Sequence, residues 1–343
     1  MLSGLGSTFA LTASEPKAVS PAPEYGAQFH CAWSFYDDEA RATVVNHLAD
    51  HGLKWVRIDV GWASIEDTGK GVRNELHLAN LDTCVAEANR RRLKVLVMLW
   101  LTPEWARAGG TTDRYPPTNP QDYADFARWI AVRYRGKVAA WEVWNEPDPQ
   151  QQFWRGTASE YVELLKAAYP AFKAGDATAS VVLGGPSSND AAWIRDVYSL
   201  GAKDSFDVMA THPYQPIADL PPEEPGDANR SWFTSFPAVR DVMLDYGDGA
   251  KPVWFTEFGW SAHANWPGIA DWQRGVTLEQ QADYAVRAWR YTRKKYPYVK
   301  VMIWYKDRSL PGSSDIHQQG YGMLDHSLAP RPVLRTLKTL LAG

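Results

Sequence analysis

Two glutamates in this sequence stand among aromatic residues where a bare carboxylate would be out of place. Glu146 closes the run Ala140-Trp-Glu-Val-Trp-Asn-Glu, and Glu257 lies within Val253-Trp-Phe-Thr-Glu-Phe-Gly-Trp260. An ionised carboxylate amid Trp, Phe and Val is costly unless it is paired or put to use. One such glutamate alone reads as a salt-bridged anchor for a loop. Two of them, each closing an apolar run, read as a functional pair. A pair of carboxyl groups facing one acetal can divide its cleavage between them. One protonates the departing oxygen while the other attacks the carbon it leaves.

For these side chains to meet, the chain must bring distant segments to one rim. Eight short apolar runs, at 27–33, 54–61, 93–101, 138–144, 180–184, 206–211, 252–257 and 299–305, predict strands. Most are apolar on both faces, as parallel strands covered on both sides are. Helical patterns fall between them at 38–50, 81–91, 122–134, 160–174, 191–200, 236–246, 280–295 and 333–341. Asn119-Pro120 fits a helix start, and Thr157–Glu160 and Thr277–Gln280 fit capping boxes. Eight strand-then-helix units predict an α/β fold, a (β/α)8 TIM barrel, whose chemistry sits at the C-terminal ends of its strands. Glu146 then ends strand four and Glu257 strand seven. No glycine-rich fingerprint follows the first strand, which argues against a doubly wound dinucleotide fold. Residues 1–24 read as a flexible N-terminal segment or linker, and 25–343 as a single barrel domain.

The combination Trp144-Asn145-Glu146-Pro147 with the later Thr256-Glu257-Phe258-Gly259-Trp260 resembles the retaining glycoside hydrolases of clan A. Family 39 is the nearer resemblance and family 5 the next. The leaning to family 39 comes from the lack of a clear match for the histidine that many family 5 members carry after strand three. The resemblance spans about residues 27–340 and implies a barrel enzyme that cleaves O-glycosidic bonds of an oligo- or polysaccharide by a two-glutamate double displacement. It implies Glu146 as acid/base and Glu257 as nucleophile. It also implies Asn145 as the partner of the sugar 2-hydroxyl, Arg57 as an arginine near the nucleophile, and His212 and Tyr214 from the His-Pro-Tyr after strand six. Trp304 matches the aromatic platform under the sugar. Physically, Arg57 and the Tyr214 hydroxyl would favour an ionised Glu257, whereas apolar neighbours would keep Glu146 protonated. A catalytically silent carbohydrate-binding barrel is the alternative.

Composition narrows the setting. The 343 residues include 17 Trp, 16 Tyr and 11 Phe, and such an excess of Trp suits surfaces that stack on the flat faces of sugar rings. Trp33, Trp105 and Trp260, at or just after strand ends, are candidates for that contact. A net charge of -4 gives no attraction to nucleic acid or anionic lipid, and no run approaches a membrane-spanning length. The eight histidines match no metal pattern, so a mechanism without metal or cofactor is expected. Cys31 and Cys84 read as two buried free thiols. A monomer acting on carbohydrate, secreted or extracytoplasmic, completes the expectation. Long loops at 104–118, 213–235 and 260–276 would wall the cleft.

Overall fold

The computed structural model describes residues 21–107, 109–227, 231–310 and 312–343. Strands and main helices alternate as β1 (Glu24–Gln28), α1 (Asp38–Asp50), β2 (Trp55–Gly61), α2 (Glu75–Arg90), β3 (Lys94–Trp100), α3 (Pro120–Arg133), β4 (Ala140–Val143), α4 (Ala158–Gly175), β5 (Ser180–Leu183), α5 (Ala191–Ser199), β6 (Met209–Thr211), α6 (Phe236–Asp245), β7 (Val253–Phe258), α7 (Leu278–Lys295), β8 (Val299–Trp304) and α8 (Pro332–Leu341). The strands run parallel in the order β5-β4-β3-β2-β1-β8-β7-β6. A parallel bridge between Val182 and Val208 joins the two ends of that order. The Leu183 N–H also donates to the Val208 carbonyl at 3.0 Å. The expected (β/α)8 barrel is therefore present.

Strand alternation explains how an apolar run can carry catalytic groups. Along β2, Val56, Ile58 and Val60 pack outward in the large core shared with the helices, so Trp55, Arg57 and Asp59 face inward. Trp55 joins Leu96, Ala140, Val182, Trp254 and Ile303 in a separate apolar layer. Above it along the strands come Arg57 and Glu142, then Asp59 and the two glutamates. The barrel is thus a packed apolar plug at one end and a polar site at the other.

The helix starts follow their caps. Thr157 with Glu160, and Thr277 with Gln280, form both bonds of the capping box. Asn119 accepts from the Gln121 N–H ahead of the helix that opens at Pro120. Among the boundaries that differ from expectation, two have a clear cause. β1 lies earlier than 27–33, because Phe29 and Cys31 are buried apolar residues of the turn after the strand rather than of the strand itself. α2 starts earlier than residue 81, at an Asn74 cap that accepts from the His77 N–H; the polar residues of its first turn hide the helical period. Of the expected N-terminal linker, residues 1–20 lie outside the described residues, and Glu24 already belongs to β1.

The free-thiol expectation is corrected. Cys31 and Cys84 form a disulfide, with Cα atoms 6.0 Å apart and a sequence separation of 53. The bond ties the turn after β1 to α2. Beside it, the Arg41 Nε–H donates to the Cys31 carbonyl at 2.9 Å. Closing a loop of this length restricts the unfolded chain, so Cys84→Ala is expected to lower unfolding free energy by about 2–4 kcal/mol. Urea melts of the variant and thiol titration of the denatured, unreduced wild type check this. Two titratable thiols with no loss of stability on substitution would refute it.

Candidate active site

The barrel brings the two glutamates together. Glu146, just beyond β4, and Glu257, within β7, each place a carboxylate oxygen within 4.8 Å of the other and of a His212 ring nitrogen. Retaining glycosidases hold their carboxyls about 5–5.5 Å apart, whereas inverting ones need about 6.5–9.5 Å to admit a water. The spacing here fits the former.

Arg57 organises the floor of the site. It is fully buried. Its Nε donates to Glu142 Oε2 (2.6 Å), one Nη1 hydrogen to Glu257 Oε1 (2.5 Å), another to Gln28 Oε1 (2.8 Å), and Nη2 to Asn145 Oδ1 (2.8 Å). Burial alone would lower its pKa, but the Glu142 and Glu257 carboxylates hold it above its usual value. Because Arg57 offers only donors, Asn145 must turn its oxygen to it, which leaves the Asn145 amide hydrogens free for the cleft. Tyr214 Oη donates to the other Glu257 oxygen at 3.0 Å. Burial first, then the Glu257 charge, keeps that phenol well above its ordinary pKa.

Glu146 sits in the opposite electrostatic setting. Burial, then the like charge of Asp148, pushes its carboxyl up to about 8. Asp148 is itself fixed by the Ser187 N–H and hydroxyl at 2.7 and 2.6 Å. His212 Nδ1 lies 2.8 Å from Glu146 Oε1, and its Nε2 lies 3.1 Å from Thr256 Oγ1. Thr256 Oγ1 in turn donates to Glu142 Oε1 at 2.8 Å. The chain of donors settles the tautomer. A carboxylate only accepts, so the Thr256 proton goes to Glu142, and Thr256 oxygen accepts from His212 Nε2–H. Burial lowers the pKa of His212 and favours the neutral ring, so Nδ1 is an acceptor and Glu146 must supply the hydrogen. Geometry and charge therefore agree on a protonated Glu146. Gly185 makes room for this arrangement: a Cβ there would stand 2.8 Å from the His212 ring and 2.9 Å from Thr256 Oγ1. Trp144 and Glu146 both adopt positive φ, 74° and 44°, a strained backbone of the kind found at functional sites.

Around this pair opens a cleft of about 950 Å³. Trp33 lines it as expected, with its ring 4.3 Å from that of His30 and its Nε1–H donating to Asp59 Oδ2 at 2.8 Å. Three other aromatic expectations are corrected. Trp304 is fully buried, donates to the Tyr321 carbonyl and packs on Phe258 and Trp260. Being the last strand residue, it points outward, and the next residue, Tyr305, faces the cleft instead. Trp260 is buried, with its Nε1–H on the Leu220 carbonyl. Trp105 packs edge-on against Trp62 and donates to the Glu66 carbonyl, outside the cleft lining. His212 is also set behind the cleft rather than in it; fully buried, it contacts Glu146.

Sequence reasoning passed over Glu142, Gln28, His30 and Tyr305. The signal for Glu142 was present: a charged residue in mid-strand, two before Trp144, requires a buried partner. His30 Nδ1 lies 2.9 Å from Asp59 Oδ1. Among the described residues, Glu146, His212 and Glu257 are the set spaced to hold a cation. Arg57 already supplies positive charge to Glu257, and His212 Nδ1 is engaged by Glu146.

Comparison with known proteins agrees with this layout. The family model "Cellulase (glycosyl hydrolase family 5)" matches residues 18–305. A β-xylosidase of Caldicellulosiruptor saccharolyticus is 29% identical over 184 residues, covering 48% of this chain and 37% of that protein. Among solved structures, a family 39 glycoside hydrolase from Bacteroides cellulosilyticus WH2 has a TM-score of 0.73 at 21% identity, covering 94% of this chain and 64% of that one. A GH5_18 protein from Streptomyces cattleya in complex with GlcNAc has a TM-score of 0.70 at 18% identity, with 94% and 80% covered. The GH39 enzyme from Xanthomonas axonopodis pv. citri has 0.68 at 20%, with 95% and 68% covered. The chain thus spans well under half the length of the β-xylosidase and just under two thirds of the first of these structures. At such identities the structural likeness speaks to the fold, and the matching family model is that of the second of the two families its motifs resemble. The chain belongs to glycosyl hydrolase family 5.

Proposed function

We propose that the protein is a retaining glycoside hydrolase acting on an oligo- or polysaccharide, with Glu257 as nucleophile and Glu146 as acid/base. The observation that carries this is the closeness of two carboxyls in opposite settings: Glu257 bonded to a guanidinium, Glu146 protonated against a neutral histidine. A Glu257 oxygen attacks the anomeric carbon as the bond to the leaving oxygen breaks and Glu146 gives that oxygen its proton. An ester between sugar and Glu257 results. Water then attacks the same carbon, Glu146 takes its proton, and Glu257 departs, so the anomeric configuration is retained. Asn145 donates to a sugar hydroxyl beside the reacting carbon, and its bond to Arg57 fixes its orientation. Secretion belongs to the same reading and is supported by the Cys31–Cys84 disulfide, a bond of oxidising compartments.

Glu257→Gln and Glu146→Gln are each expected to slow hydrolysis of unactivated glycosides by at least about 10²–10⁴-fold, with retention of anomeric configuration in the wild type. Wild-type rates in both variants, measured across a panel of unactivated oligosaccharides, would sink the assignment.

The pH profile tests the acid separately. Glu146 must be protonated to act, and its pKa is raised to about 8, so kcat/KM should hold below that pH and fall as pH rises through it. Thr256→Val removes the acceptor for His212 Nε2–H. The ring can then carry its hydrogen on Nδ1 and donate to the Glu146 carboxylate, which stabilises the charged form. The basic limb should therefore move to lower pH in the variant. An unmoved limb would show that Thr256 does not set the histidine tautomer.

A further inference from the structure

The ionisable groups on the cleft floor are engaged. Arg57 meets Glu142 and Glu257, Asp59 lies against His30 and Trp33, and the protonated Glu146 bonds His212. Arg114, on the loop between β3 and α3, also lines this cleft. Among the described residues it is the charged side chain of the lining that makes no ion pair. Its guanidinium instead lies 4.7 Å from the centre of the Phe153 ring, on the loop after β4. Phe153 is in turn braced edge-on by Trp100 at 5.8 Å. Stacking on an aromatic face holds the guanidinium plane while leaving its N–H fork unspent. The Arg155 N–H donates to the Arg114 carbonyl at 2.9 Å, which ties the Arg114 backbone to the loop after β4.

A guanidinium that is preorganised, faces a substrate cleft and lacks a counter-ion is built to receive an anion, since Arg presents paired donors that match a carboxylate or sulfate. The cleft volume of about 950 Å³ lies at the upper end for a ligand pocket and leaves room for such a group beyond the reacting ring. Resting on the glycosidase reading of this cleft, the geometry points to a substrate that is an acidic glycan, whose anionic substituent (a uronic acid carboxylate or a sulfate ester) binds Arg114 on the wall formed by the loops after β3 and β4.

The test is a matched set of oligosaccharides that share one backbone: neutral, bearing one uronic acid, and bearing one sulfate. Binding is measured by calorimetry on Glu146→Gln, where turnover is blocked, and on the same protein with Arg114→Gln or Arg114→Lys added. At least one anionic member should bind about tenfold tighter than the neutral one, by a charge-assisted bond. That preference should shrink as salt rises. It should disappear in Arg114→Gln and survive only in part in Arg114→Lys, which keeps the charge and loses the fork. Which anion wins identifies the substituent. Equal affinity for all three, or a preference that outlasts Arg114→Gln in a variant with an unchanged melting temperature, overturns the proposal. Wild-type turnover of all three members of the set is read separately. Hydrolysis without anion preference sinks this inference alone, and anion preference without hydrolysis sinks the glycosidase reading alone.

Discussion

A guanidinium sealed from water has to find partners for every hydrogen it carries, and the centre of this barrel is arranged around that demand. Arg57 reaches β4 through Glu142, β7 through Glu257, β1 through Gln28 and the loop after β4 through Asn145. Removing one member of such a network leaves an uncompensated buried charge, a loss that breaking a buried pair puts at about 3–5 kcal/mol. The same bonds that satisfy Arg57 orient a candidate nucleophile and a candidate hydroxyl donor. Structural necessity and preorganisation are here a single set of contacts.

The two glutamates illustrate how environment assigns roles to identical groups. Glu257 faces a permanent cation and a phenol hydroxyl. Glu146 faces a neutral ring and, through burial and Asp148, a setting that resists charge. Placing two carboxyls in opposite surroundings is how one site can run acid and nucleophile chemistry at the same pH. Glu142 serves both halves, since one of its oxygens accepts from Arg57 and the other from Thr256. Through Thr256 and His212 it reaches Glu146. The Glu257 side and the Glu146 side of the site thus share a buried residue that lies outside the cleft lining.

Much of this was legible in the sequence. The eight strands announced themselves because parallel barrel strands are apolar on the helix side and largely apolar within. Glu146 and Glu257 stood out because charge amid Trp and Phe requires a reason. Side-chain direction was less legible. A tryptophan at a strand end can face the cleft or the helices, and a shift of one residue decides which. Trp304 falls on the outer side, whereas Tyr305 falls on the inner. Long-range proximity was hidden as well: nothing local in the sequence places Cys31 beside Cys84, or Glu142 beside Arg57.

The positive φ of Trp144 and Glu146 shows where local preference gives way. Neither residue favours that backbone region, which costs roughly 1–3 kcal/mol each where it is imposed. The surrounding bonds hold it in place. Trp144 Nε1–H donates to the Phe153 carbonyl at 2.9 Å, and the Glu146 N–H donates to the Gly185 carbonyl at 3.1 Å. The Phe153 that anchors the strained turn is also the ring on which Arg114 stacks. The turn that carries Glu146 and the wall that carries Arg114 are therefore joined at Phe153. A change in that wall would be felt at the Glu146 turn through Trp144, however far apart the two lie along the chain.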